Sequence, residues 1–131
     1  MTDKQPDQGE NAAPPFVDIL QEMNQEGKFE ASLLTTRDGF PVAAVPNSQR
    51  QQLASAMAAV LHQVSAETRE QLGLAMLDEV TLRTGDQSRL VCRPIGAAAR
   101  MVILSVLVPP GQPYRRITNR AIRQIEGAME L

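Results

Sequence analysis

The chain has 131 residues, 43% of them hydrophobic and 21% charged, and a formal net charge of -2. That length holds one domain, able to bury about two thirds of the surface its unfolded chain exposes. The longest apolar run, Met101 to Val108 broken by Ser105, falls far short of the roughly 20 residues that membrane insertion as a helix requires, and three Phe, one Tyr and no Trp leave little to stack on nucleic-acid bases.

Met1 to Pro14 is rich in Gln, Asp, Asn and Pro, without apolar periodicity. It reads as a disordered polar tail ahead of a single domain over residues 15–131. It also lacks the apolar stretch of a secretory signal, and the single Cys92 has no partner for an internal disulfide. The expected location is the cytoplasm.

From Pro15 onward, Phe16, Ile19, Leu20 and Met23 recur at helical spacing, with proline where a first helical turn tolerates it. Phe29 to Val45 then holds two apolar runs joined by Arg37-Asp38-Gly39. Asp-Gly accepts positive φ easily, so an antiparallel hairpin is predicted. Ser48 is placed to cap a long helix running to about Gln71, with Gly73 as its stop.

The long helix has two apolar faces. Leu53, Met57, Val60, Leu61 and Val64 form one; Ala54, Ser55, Ala58, Ala59, His62 and Ala66 form the other. The bulky face is expected to cover a sheet, and the small-residue face to admit a second subunit at close approach. Without a partner, the alanines would merely favour helix on an exposed surface.

Three strands follow, at about Asp78 to Thr84, Arg89 to Pro94 and Arg100 to Val108, the first two joined by Gly85-Asp86-Gln87-Ser88. In the first, Glu79, Thr81 and Arg83 alternate with Val80 and Leu82, as on an edge strand with one wet face. Such an edge can pair across a dimer. Met101 to Val108 does not alternate, so it should lie centrally with helices covering both faces. After the breaker run Pro109 to Pro113, Ile117, Ala121, Ile122, Ile125, Ala128 and Met129 mark a final helix.

Catalytic, cofactor and metal sites are not expected. No G-x-x-x-x-G-K-[ST] loop is present to cradle phosphates, and His62 with Cys92 falls short of any zinc spacing. Ser55 and Ser65 near His62 make no nucleophile elbow. Cys92 reads as a small buried hydrophobe, and Glu67 with Glu70 as a solvated helix face.

Charge is distributed unevenly: Met1 to Leu82 carries 5 basic and 12 acidic residues, a balance of -7, whereas Arg83 to Leu131 carries 8 and 3, a balance of +5. Arg115, Arg116, Arg120 and Arg123 crowd the start of the last helix, where positive charge opposes the macrodipole. Either an acidic partner surface or internal carboxylates should compensate them; charge reversal at Arg116 and Arg120 would separate the two.

The segment Leu34 to Ala43, with its Asp38-Gly39-Phe40-Pro41 turn, the alanine-rich helix through Ala54 to Ala59, and Leu90-Val91-Cys92-Arg93-Pro94 followed by Gly96 together resemble the roadblock/dynein light chain family. The resemblance covers about Pro15 to Leu131. It implies an α+β, three-layer α/β/α fold: a profilin-like five-stranded antiparallel sheet of order 2-1-5-4-3, the long helix on one face and the terminal helices on the other. It further implies a homodimer formed through the long helix and the third strand, adding Val80 and Leu82 to the small-residue face. Its members scaffold or activate Ras-like small GTPases or serve as motor light chains, without a catalytic site of their own. The expected function is therefore a non-catalytic dimeric adaptor or regulator of a Ras-like GTPase. A motor-complex adaptor and a small-molecule sensor are the alternatives, the scarcity of aromatic residues weighing against the sensor.

Overall fold

The computed structural model describes residues 14–47, 49–75, 77–96 and 100–130, and within the long helix the side chains from residue 56 onward. The polar segment, apart from Pro14, lies outside the described residues, as do Ser48 and the side chains of Leu53, Ala54 and Ser55.

The elements follow the expected order: α1 (Pro14–Gly27), β1 (Ala31–Thr36), β2 (Pro41–Val45), α2 (Gln49–Leu72), β3 (Val80–Arg83), β4 (Arg89–Ile95), β5 (Val102–Val108) and α3 (Arg115–Met129). The strands form one five-stranded sheet in the order β2-β1-β5-β4-β3. All pairings are antiparallel. β5 is central, and the only ones of its residues not nearly or fully buried are Val102 and Leu107, which are half-buried. β3 is an edge, shorter than expected because Asp78 and Glu79 leave the ladder to meet α3.

The β1–β2 turn is closed where Asp-Gly foretold it. Gly39 has φ 94°, and the Gly39 and Phe40 N-H groups donate to the Thr36 carbonyl at 3.0 Å and to Thr36 Oγ1 at 3.2 Å. At the end of α1 the chain instead turns through Lys28 at φ 57°. Gly27 is needed for another reason, since a Cβ there would collide with the Phe29 ring.

Most of the core lies between the sheet and the pair α1 and α3. Leu20, Met23, Leu34, Val91, Leu104, Val106, Val108, Ala121 and Ile125 form one buried cluster there. The opposite face, beneath α2, is thinner. Its cluster is Ala58, Cys92 and Ile103, with Leu61, Val80 and Leu90 packed around it.

The structure reverses the two faces of the long helix. Ala58 is 1% exposed and rests on the sheet, whereas Met57, Val60 and Val64 are 44%, 59% and 57% exposed on the far side. Of the bulky face, only Leu61 among the described residues packs inward. The reason lies in the strands. Directly opposed residues share a face, so Thr35, Cys92 and Ser105 lie under α2 together with Leu33 and Ile103, and the short and polar side chains among them leave a shallow surface. A helix meeting it through alanine comes closer than one meeting it through valine.

Candidate functional site

Two surfaces are candidates: the outer side of α2 with β3, and the arginines of α3.

On the first, Met57, Val60 and Val64 stand at i, i+3 and i+7 and form a stripe away from the sheet. Leu82, on the edge strand and 39% exposed, meets Ala56, Met57, Val60 and Leu61 in a shallow apolar depression. The stripe therefore continues onto β3, whose outer edge has no strand beside it among the described residues. Of the residues expected to contact a second copy, Leu82 lies on this surface. Ala58 is buried against the sheet, His62 is half-buried, and Val80, on β3, is half-buried beneath α2. Ala59 is half-buried and Ala66 exposed. Periodicity identified the two faces of α2 but assigned Met57, Val60 and Val64 to the sheet, because orientation depends on strands that pair elsewhere in the sequence.

On the second, the four arginines separate. Arg115 donates to Glu79 Oε1 at 2.7 Å and to Asp78 Oδ2 at 2.8 Å. Arg120 pairs with Glu26 and ties α3 to α1. Arg116 and Arg123 are exposed and form no ion pair among the described residues.

Arg93, which sequence reasoning did not single out, anchors the network behind Arg115. Its side chain is buried on β4, and Nη1 donates to Thr118 Oγ1 at 2.9 Å and Asn119 Oδ1 at 2.6 Å. Nη2 approaches Asp78 at 3.5 Å, and Nε has no partner among the described groups. Glu79 accepts further bonds from Thr81 Oγ1 at 2.6 Å and the Tyr114 hydroxyl at 2.5 Å. Arg89 donates to the carbonyls of Pro109 and Gln112 at 3.1 and 2.6 Å and lies 5.4 Å from the Tyr114 ring centre. The network fixes the start of α3 against β3 and β4.

The protonation states follow from these contacts. The hydrogen bond from Arg115 holds Asp78 below the usual carboxylate range. For Glu79, burial pushes the pKa up, but hydrogen bonds from Thr81, Tyr114 and Arg115 together outweigh it. Burial and, secondarily, the charge of Arg37 hold His62 below its ordinary value, so it is neutral at pH 7. Burial raises the Cys92 thiol against a bond from Ser105. Among the described residues no cluster of three or more His, Cys, Asp or Glu is placed to hold a metal, and no helix is long and apolar enough to cross a membrane.

No family model matches the chain, and no curated protein matches it. Solved structures do. The gliding protein MglB from Thermus thermophilus superposes with a TM-score of 0.77 at 18% identity, over 91% of each chain. A Roadblock/LC7 domain from Streptomyces avermitilis gives 0.78 at 12% identity, over 88% of this chain and 98% of that one. The fold is the roadblock fold. A further roadblock-fold structure, an MglB in a tetrameric arrangement, gives 0.71 at 21% identity over 88% of this chain and 93% of its own. At these identities the likeness is one of backbone architecture, so the roles of individual side chains have to be argued from this chain.

Proposed function

We propose that this chain is a dimeric, non-catalytic adaptor or regulator of a Ras-like small GTPase, acting in the cytoplasm. The observation that carries the proposal is the apolar stripe of Met57, Val60 and Val64, exposed on one copy and continuous with Leu82 on an unpaired strand edge. Isolated exposed hydrophobes are ordinary, but a helical stripe joined to a free edge makes a contiguous patch of the kind a second molecule covers. A two-fold axis through α2 would set each stripe against its copy and bring the two β3 edges into reach. The tetrameric arrangement of one MglB supports self-association as a property this fold can carry.

Relative to the sequence expectation, the contact moves from the small-residue face to Met57, Val60 and Val64, with Leu82 retained. GTPase binding rests on the roadblock fold together with the resemblance in the Leu34 to Ala43 and Leu90 to Gly96 segments. A dimer that binds one arrangement of a GTPase's switch loops better than another shifts their population by that difference in affinity.

Two measurements test the proposal. Light scattering on the full chain should give a dimer at micromolar concentration, and Val60→Glu should give a folded monomer, because two carboxylates would meet at the axis. Titration with a Ras-like GTPase should give tighter binding to the GTP-analogue form than to the GDP form. Equal affinity for both forms would leave an adaptor without regulatory preference; a wild-type monomer would remove the dimer.

A further inference from the structure

The thin padding beneath α2 leaves space. A cavity of about 250 Å³ lies between the C-terminal half of α2 and strands β3, β4 and β5, walled by Leu61, Leu77, Val80, Pro94, Met101 and Ile103. It opens beyond the contact of Ala58 with Cys92 and Ile103, where Ser65 and Ala66 on the helix are too short to fill the space above the sheet. The polar side chains that line it are few. His62, Ser65 and Arg69 lie at i, i+3 and i+7 on α2 and bring their groups to one wall.

We propose that this cavity binds a medium-chain aliphatic carboxylate, with its alkyl chain between α2 and the sheet and its carboxylate on Arg69. The volume exceeds the roughly 150 Å³ that admits benzene into an apolar cavity, and lies just below the roughly 300 Å³ where drug-sized sites begin. The described walls are aliphatic, so they suit a flexible chain better than a planar ring seeking an aromatic face. The scarcity of aromatic residues in the sequence therefore selects the class of ligand rather than excluding one.

Arg69 supplies the head-group chemistry. It is the one charged residue among the described residues of the lining, is half-buried, and has no ion-pair or hydrogen-bond partner among them. A guanidinium presents a planar fork that matches a carboxylate in two parallel hydrogen bonds. It also sits in the last turn of α2, where exposed carbonyls repel an anion. A carboxylate is held there only if the arginine is present. His62 lines the same wall two turns earlier, nearer the end of the cavity that would take the alkyl chain. This site goes beyond the GTPase reading and lies on the opposite side of α2 from Met57, Val60 and Val64, so the two stand or fall on separate measurements.

The test is calorimetric titration of the full chain with sodium hexanoate, octanoate and decanoate below their micellar concentrations. One decanoate per chain is expected, with affinity rising about fourfold per added methylene until the cavity is filled. Arg69→Gln should weaken decanoate about tenfold and leave decanol unchanged. Ser65→Leu, which fills the cavity from the helix, should abolish binding of both while circular dichroism and oligomeric state are retained. A readout on the wild type needs no variant: decanoate should slow modification of Cys92, the only cysteine, by an alkyl methanethiosulfonate. Absence of saturable binding, equal losses for decanoate and decanol in Arg69→Gln, or full binding in a folded Ser65→Leu would each overturn the proposal.

Discussion

Arg93 and Asp78 touch each other, yet their replacement should have very different consequences. The Arg93 side chain is 6% exposed and that of Asp78 69%, so only the arginine has been withdrawn from water. Arg93→Ala removes the bonds to Thr118 and Asn119 and leaves a void between β4 and α3, and a loss of about 2 to 4 kcal/mol is expected. Asp78→Asn breaks contacts screened by solvent and should cost less than about 1 kcal/mol. Urea denaturation of the two variants decides it; equal losses would mean the buried part of the network carries nothing.

Arg93 stands in the Leu90 to Pro94 segment that carries the family resemblance, but its role was not legible, because its acceptors lie 25 and 26 residues further along and meet it only once β4 and α3 have packed. Cys92, its neighbour, was legible as a small buried side chain, since strand position and residue type were enough.

The same network sets a pH dependence. Asp78 and Glu79 are both held below their ordinary values of 3.8 and 4.5, so the folded chain binds protons more weakly than the unfolded one. Their stabilisation is present above about pH 4.5 and is lost as the pH falls through the folded-state values. The urea midpoint should therefore fall below pH 4.5, and Glu79→Gln should flatten part of that fall. An unchanged profile in that variant would separate Glu79 from acid sensitivity.

At the scale of elements, α2 shows what periodicity can and cannot supply. The spacing of its apolar residues marked two faces, and the alternation in β3 and its absence in β5 placed an edge and a centre correctly. Which face of α2 turns inward was not legible. That depends on Thr35, Cys92 and Ser105, whose shared face is set by pairing among three strands. A helix resting on such short side chains needs alanine at the contact. Ala58→Leu should accordingly destabilise the fold by about 1 to 3 kcal/mol through overpacking, whereas Val64→Ser, on the open side, should leave thermal stability of the isolated chain within about 0.5 kcal/mol. An Ala58→Leu variant of unchanged stability but weakened dimer affinity would mean that α2 turns its bulky side, not Ala58, toward the sheet.

For the whole molecule, the division of charge between the two parts of the sequence has a structural use before it has a functional one. Arg115 meets Asp78 and Glu79, and Arg120 meets Glu26, so the basic end of the chain closes onto acidic residues contributed by its earlier part. The cluster for which the sequence left open an acidic partner or internal carboxylates is thereby divided: Arg116 and Arg123 remain, exposed on α3 and without ion pairs among the described residues. This changes the charge-reversal test. Reversing Arg120 sets like charges at Glu26 and strains the α1–α3 contact, so weaker binding by that variant would be ambiguous. Arg116→Glu with Arg123→Glu leaves both internal pairs in place. If α3 faces the proposed GTPase partner, the double variant should bind it up to about tenfold more weakly, chiefly through a slower association rate, and the difference should shrink as salt is raised past the screening range. The proposed dimer, through α2 on the other side of the sheet, should be unaffected by light scattering. An unchanged association rate would assign the two arginines to solvent and move the partner surface to the α2 side of the molecule.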